Sequence, residues 1–395
     1  MKAKTLDSRV PLPARAGAER VRLLKFITNF YIGGTERQFM VLGRGLDRTR
    51  FDVRAACLRK EGPFLAEMQA EGIPVQEHRI RSLYRPSTLG MQIRLAAALW
   101  KERVQIVHTY GFYPNTFALA PARAAGVPVI VASIRDIGDI WTPLQRRLQR
   151  LVCRLADAIA VNAEAVKRRL IDEGYDGGRV VVIENGIDVA RFSGANAAGR
   201  LRHELGLPAG IPLVAVLSRL NKDKGISHFL KAAASLRSAW PDARWLLLGD
   251  GPDRALLEQE AKGLGLADRA HFLGFRTDVA DILPEITVSV LPSLSEALSN
   301  VVLESMAAER PVVVTRVGGL PEVVDDGVHG LLVPPGDERA LARGIDTMLR
   351  DPGRAADMGR SARQRVTREF SLQRMIDRTQ QMYESLLERH VRGQA

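Results

Sequence analysis

Two carboxylates eight residues apart, Glu296 and Glu304, frame the segment Glu296-Ala-Leu-Ser-Asn-Val-Val-Leu-Glu304. The segment follows an apolar run at 288–291 and the turn Pro292-Ser293, and it opens a helical pattern that continues to Ala308. The first N–H groups of a helix lack backbone partners and carry the positive end of its dipole, which suits a diphosphate. Eight residues of helix rise about 12 Å. That is the scale of a nucleotide sugar from its hexose to its ribose. One carboxylate can grip sugar hydroxyls while the other accepts hydrogen bonds from ribose hydroxyls. Taken alone, the same spacing fits two solvated glutamates.

A second cluster, Ser218-Arg219-Leu220-Asn221-Lys222-Asp223-Lys224-Gly225, closes an apolar run at 211–218. Arg219 and Lys224 at a cleft mouth can neutralise a diphosphate and steady it as it leaves. Lys222 is expected to be solvated, as members of charge runs often are. A third signal is Gly33-Gly34, where the backbone can approach a ligand closely. It is not a G-x-G-x-x-G fingerprint, so dinucleotide binding gains little from it. Gly249-Asp250-Gly251-Pro252 and Leu273-Gly274-Phe275 are candidate nucleobase-pocket turns, and plain βα turns fit them equally. Asn185-Gly186-Ile187-Asp188 reads as a structural turn at a domain junction.

These residues need strands to carry them. Strand patterns at 21–30, 51–58, 104–108, 127–133, 158–162 and 180–184 alternate with helical stretches such as 91–102. A polar, Ala- and Gly-rich stretch follows up to 210. The alternation then restarts, with strands at 211–218, 244–249, 270–273, 288–291 and 311–315 and helices at 226–239 and 253–264. Such alternation predicts two α/β halves, each a doubly wound parallel sheet. Ligands of open α/β sheets bind beyond the carboxyl ends of the strands. Two halves facing each other would therefore put two ligands in one cleft.

The chain has 395 residues, too many for one ordinary core, and a normal 46% hydrophobic content. Its net charge of +12 suits either a generally basic surface or anionic partners. No aromatic-rich basic segment resembles an RNA-recognition signature, so no nucleic acid is expected. Cys57 and Cys153 lack Cys or His neighbours at ligand spacing, so no zinc site is expected, and two lone thiols fit a reducing cytoplasm. No apolar run of about 18 residues is present, and residues 1–20 lack the apolar core of a secretory signal.

The whole pattern resembles the retaining group-1 glycosyltransferases of the GT-B fold. Residues 21–385 carry the resemblance, through Gly33-Gly34, Asn185-Gly186-Ile187-Asp188, Arg219 with Lys224-Gly225 and Glu296-x7-Glu304. It continues in Gly318-Gly319-Leu320-Pro321-Glu322 and Gly330-Leu331-Leu332-Val333. The resemblance implies two Rossmann-like domains around a central cleft. A loose tail at 1–20 would precede an acceptor-side domain at 21–200. A donor domain at 201–371 would be followed by a helix, 372–395, crossing back to the first domain on Leu372, Met375, Ile376, Met382 and Leu386. Arg219 and Lys224 would hold the donor diphosphate, Glu304 the ribose and Glu296 the sugar. The backbone of Ser299, Asn300 and Val301 would meet the phosphates. Gly33, Gly34 and Gly274 complete the expected donor site. Transfer would retain configuration by front-face attack, with no metal and no cofactor.

One departure concerns a His-x-His pair common in relatives, which here reads His108-Thr109-Tyr110. Expected acceptor-side contacts are therefore His108, Tyr110, Arg135 and Asp136. The expected acceptor is a glycan or a lipid-linked glycan, in exopolysaccharide or cell-surface synthesis. A basic amphipathic helix at 141–156, with Leu144, Leu148, Leu151 and Leu155 on one stripe, is expected to face the core. Its arginines also fit peripheral contact with an anionic inner membrane face. Two rival readings share the architecture or the charge: a nucleotide-sugar epimerase, and a binding module without catalysis. The paired glutamates favour transfer over epimerisation, and the intact Arg219, Lys224, Glu296 and Glu304 favour an enzyme over a binding module.

Overall fold

The computed structural model of the chain describes residues 19–83, 85–137, 141–192 and 199–394. The expected loose tail lies, up to residue 18, outside the described residues.

Thirteen strands form two all-parallel sheets among these residues. The first comprises β1 (Val21–Ile27), β2 (Phe51–Cys57), β3 (Val75–Glu77), β4 (Ile106–Tyr110), β5 (Val129–Ile134), β6 (Ala158–Val161) and β7 (Val180–Val182). The second comprises β8 (Leu213–Leu217), β9 (Arg244–Leu248), β10 (Ala270–Gly274), β11 (Val288–Leu291), β12 (Val312–Thr315) and β13 (Leu331–Val333). Their orders are β3-β2-β1-β4-β5-β6-β7 and β10-β9-β8-β11-β12-β13. Both orders reverse direction beside the first strand, and such a switch point opens a crevice at the carboxyl edge. In the first sheet the crevice lies between β1 and β4, and in the second between β8 and β11. The strands read as unbroken apolar runs because helices cover both sheet faces. β5 and β8, for example, are buried at every position. β3 and β13 went unread in the sequence. Each has only three residues and abuts a proline, Pro74 or Pro334, whereas β7, equally short, lies in an apolar run that continues to Ile183.

The chain passes between the domains twice, and the passes pair. Ile187 N–H donates to Phe370 O at 2.9 Å, and Leu372 N–H donates to Ile187 O at 2.9 Å. The final helix, Leu372–Gln394, then packs on the first domain. Its Met375, Ile376, Met382, Tyr383 and Leu386 share a core with Leu23, Phe39 and Phe51. Gln380 accepts from the Asp47 N–H at 2.8 Å.

The helix Pro143–Cys153 departs from expectation. Gln149 and Cys153 form its buried side. Leu144 and Leu151 are 69% and 58% exposed, so that part of the leucine stripe faces solvent. A helical period locates a stripe but does not say which side packs.

Glu322 ties the domains at a second place. The helix Glu164–Asp172 begins at Ala163, which offers no side-chain cap. Glu322, from the opposite domain, accepts from Glu164 N–H at 2.7 Å and Ala165 N–H at 2.6 Å. A carboxylate at a helix N-terminus satisfies orphan donors and complements the dipole. Loss of a helix cap typically costs about 1 kcal/mol. Glu322→Ala is accordingly expected to lower the unfolding free energy in urea by about that amount, without changing secondary-structure content.

Candidate active site

A cleft of about 910 Å³ lies between the carboxyl edges of the two sheets. The first domain contributes Asn29, residues 31–37, where the chain after β1 enters the helix Gly34–Gly45, and Arg135, Asn162 and Asn185. The second contributes Ser218, Arg219, Lys224, Gly249, Phe275, Arg276, Glu296, Ser299, Asn300, Val301 and Glu304, among others.

Backbone geometry brings the charged pair together. After β8 the chain turns through Lys222–Lys224 and reaches Gly225 at φ +62°. A side chain at Gly225 would start 2.1 Å from Pro292 O, so only glycine lets this turn lie on the loop after β11. Leu294 N–H donates to Asp223 O at 2.8 Å and clamps the two loops. From below, Gly318 (φ +51°) comes so close that a Cβ there would sit 1.5 Å from Glu296 O. Between these supports, Lys224 Nζ reaches Glu296 Oε2 at 2.6 Å. Ser293 Oγ donates to the same oxygen at 3.3 Å. Both charged side chains are sheltered, 23% and 13% exposed. Arg219 is exposed and makes no ion pair among the described residues. Lys222 is exposed and does not line the cleft.

The helix Asn300–Ala307 starts at the cleft, with Ser299 as its N-cap. Ser299 Oγ accepts from Val302 N–H at 3.5 Å, and the first helical residues, Asn300 and Val301, line the cleft. Glu296 lies in the loop before this helix. Only the step from Asn300 to Glu304 is helical, a rise of about 6 Å, so the 12 Å helical separation is not realised. Glu304 sits at the cleft floor, ringed by protein but still partly open to the cavity. Desolvation pushes its carboxyl up to about 7, against the pull of Arg37 and Arg191.

The structure separates the four expected acceptor-side residues. Only Arg135 lines the cleft, and its guanidinium donates to Asn185 Oδ1. His108 is buried beneath it, with Nδ1 2.6 Å from Tyr383 Oη and Nε2 2.8 Å from Ser133 Oγ. Burial, and then Lys25 and Arg135, hold this imidazole well below its usual range, hence neutral. Tyr110 is also buried, its ring stacked 4.3 Å from that of His108. Asp136 lines a separate small cavity, where it accepts from Trp141 Nε1 at 3.1 Å. Gly274 does not line the cleft either. Its carbonyl accepts from Gly249 N–H at 2.8 Å, and the next residues, Phe275 and Arg276, face the cavity instead.

Several cleft residues carried no sequence signal. Glu36 lies on the first-domain wall, and burial raises its carboxyl above the ordinary range. Arg276 is neutralised by Glu204 at 2.6 Å and Asp278 at 2.7 Å. Asn185 was read as a turn residue only, and it joins the cleft through its side chain.

Comparison with known proteins agrees with this geometry. Residues 199–365 match the family described as glycosyl transferases group 1, and residues 32–191 match glycosyltransferase family 4. The 2-deoxystreptamine glucosyltransferase of Streptomyces kanamyceticus is 31% identical over 281 residues, covering 67% of this chain and 73% of that one. The N-acetyl-alpha-D-glucosaminyl L-malate synthase of Bacillus anthracis is 27% identical over 313 residues, covering 77% and 81%. The chain belongs to the group-1 glycosyltransferases. Among solved structures, Anabaena HepE in complex with UDP-glucose superposes with a TM-score of 0.84 at 22% identity, over 93% of this chain and 100% of that one. WaaG, a glycosyltransferase involved in lipopolysaccharide biosynthesis, gives 0.71 at 18% identity, over 90% and 98%. The fold is GT-B, as the sequence resemblance implied.

The raised Glu304 carboxyl makes stability depend on pH. Between the ordinary carboxyl range and about 7, folded Glu304 holds a proton that the unfolded chain has released. Its contribution therefore falls as pH rises through that window. Glu304→Gln removes the ionisation. The ligand-free variant is expected to melt several degrees above the parent protein at pH 8, and the difference should nearly vanish at pH 5, by calorimetric unfolding at both values.

Proposed function

We propose that this glycosyltransferase moves a hexose from a UDP- or GDP-sugar to a glycan or lipid-linked acceptor, with retention of configuration and without a divalent metal. The observation that carries this reading is the Lys224–Glu296 pair beside the start of the Asn300–Ala307 helix, inside an interdomain cleft. The UDP-glucose complex of HepE supports a nucleotide-sugar donor.

In this reading the donor diphosphate takes Lys224 from Glu296. Arg219 and the first N–H groups of the helix share its charge, and these positive groups stabilise the nucleoside diphosphate as it leaves. Glu296, released, accepts hydrogen bonds from the sugar, and Glu304 accepts them from the ribose. As the glycosidic bond breaks, the phosphate oxygen takes the proton of the acceptor hydroxyl, which attacks the anomeric carbon from the same face. Configuration is retained without an enzyme nucleophile.

Relatives include a 2-deoxystreptamine glucosyltransferase, a D-inositol 3-phosphate glycosyltransferase and a lipopolysaccharide core biosynthesis glycosyltransferase, so acceptors vary among them. Two helices support contact with an anionic membrane. Leu144 and Leu151 stand exposed on the helix Pro143–Cys153, beside exposed Arg147 and Arg154. Leu89, Ile93 and Trp100 stand exposed on the helix Pro86–Lys101. Both helices pack against the helix Phe112–Ala124 between them. Apolar side chains rimmed by arginine suit a headgroup interface. Among the described residues, no helix is long and apolar enough to cross a membrane.

Turnover with UDP-, GDP-, ADP- and TDP-sugars in EDTA tests the donor. One donor is expected to be used with its anomeric configuration kept, and Lys224→Ala should reduce kcat/KM at least a hundredfold. Inverted product, or activity only after a divalent metal is restored, contradicts the mechanism. Vesicles containing anionic lipid should float with the protein at low salt and lose it with the Leu144→Ser/Leu151→Ser variant. A protein that never floats removes the membrane contact.

A further inference from the structure

Three amides join the domains at the cleft edge. Asn300 Oδ1 accepts from Asn185 Nδ2 at 2.7 Å and from Gln38 Nε2 at 3.2 Å. Asn300 Nδ2 donates to Gly34 O at 3.3 Å, on the opposite domain. Gln38 pairs both ways with Gly186: its Nε2 donates to Gly186 O at 3.0 Å, and its Oε1 accepts from Gly186 N–H at 3.2 Å. Asn185 Oδ1 takes the Arg135 guanidinium, and Asn185 Nδ2 also faces Leu298 O at 3.4 Å. Gln38 and Asn185 are only 2% and 3% exposed.

The orientation of each amide is fixed by its neighbours. Arg135 can only donate, so Asn185 must turn its oxygen to it and its nitrogen to Asn300. The Gly186 backbone forces the Gln38 nitrogen towards Gly186 O and hence towards Asn300. Asn300 therefore meets two donors with its oxygen, and its nitrogen is left for Gly34. Polarity runs one way from Arg135, on the acceptor-side wall, to the first residue of the donor-side helix. If the domains part, Gln38 and Asn185 lose the Asn300 acceptor and Gly34 O loses a donor, and buried polar groups without partners are costly.

We propose that Asn300 is a positioning residue whose side chain, through Gln38 and Asn185, locks the cleft-facing start of its helix to the Gly33-Gly34 turn and makes the donor groove complete only in this closed arrangement. The proposal rests on the donor site described above. Gly34 and Asn300 both line the cleft. A donor that touches both walls binds the closed state, and breaking the seam lowers the fraction of molecules ready to bind.

The test combines kinetics, nucleotide binding and solution scattering on the full chain. Asn300→Ala and the near-isosteric Gln38→Met should each reduce donor kcat/KM roughly tenfold or more, given about three lost hydrogen bonds in the first and two or three in the second. The double variant should be no worse than Asn300→Ala by more than about twofold, because both act through one seam. In X-ray scattering, both ligand-free variants should have a larger radius of gyration than the parent protein, and saturating UDP or GDP, by selecting the closed state, should contract the variants towards the parent value while changing the parent little. A purely structural role would lower Tm but leave the scattering and kcat/KM unchanged, and that overturns the proposal. Additive kinetic losses overturn it as well. If the parent protein binds neither UDP nor GDP, the donor reading fails by itself, and the ligand-free scattering still decides whether the seam holds the domains closed.

Discussion

A lysine and a glutamate on different loops neutralise each other at the centre of the cleft. Lys224 and Glu296 are 72 residues apart in sequence and 2.6 Å apart in space. Both are sheltered, so each would be stranded without the other, and removing one partner of such a pair is far more damaging than removing both. The pair forms only because the turn after β8 lies on the loop after β11. That contact needs a residue without a side chain at Gly225, and the loop needs another beneath it at Gly318. The parallel order of β8 and β11 sets both loops at one sheet edge. Sheet topology, two glycines and one ion pair thus form a single dependency. A diphosphate entering this cleft meets a cation that already has a partner. Donor binding, in the proposed mechanism, is an exchange of partners in which the incoming phosphate frees the carboxylate for the sugar.

The first domain is organised differently. Its central polar residues support the wall rather than face the cleft. His108 lies between Tyr383 and Ser133, neutral and buried, with Tyr110 stacked against it. The final helix therefore reaches the middle of the first sheet through one hydroxyl, that of Tyr383 on His108. On the first-domain side the cleft is lined by the segment 31–37, which includes Glu36, and by Arg135.

Much of this was legible in the sequence, for identifiable reasons. Strands of a covered parallel sheet are continuous apolar runs, so eleven of the thirteen strands could be placed near their observed ends, and β3 and β13, short and bounded by Pro74 and Pro334, were not seen. Arg219, Lys224, Glu296 and Glu304 were legible because they follow strand ends, where the fold directs residues to the cleft. The direction of a side chain on a strand was not legible. His108 and Tyr110 turn to a helix more than 270 residues later, and nothing local records that partner. Gln38 was hidden for a similar reason, as a polar residue on the buried side of a helix whose partner, Asn300, is 262 residues away. The stripe on the helix Pro143–Cys153 was correctly periodic but packs only in part: Leu148 and Leu155 are half-buried, Leu144 and Leu151 are exposed, and Gln149 and Cys153 fill the buried side.

Titration calorimetry of UDP and GDP against the parent protein, Glu296→Gln and Lys224→Ala tests the exchange of partners most directly. Removing the carboxylate charge frees Lys224, so Glu296→Gln should bind the nucleoside diphosphate at least as tightly as the parent protein, while Lys224→Ala should lose binding by tenfold or more. If Glu296→Gln weakens binding as much as Lys224→Ala does, the pair is a structural strut of the loop and the diphosphate does not take its lysine.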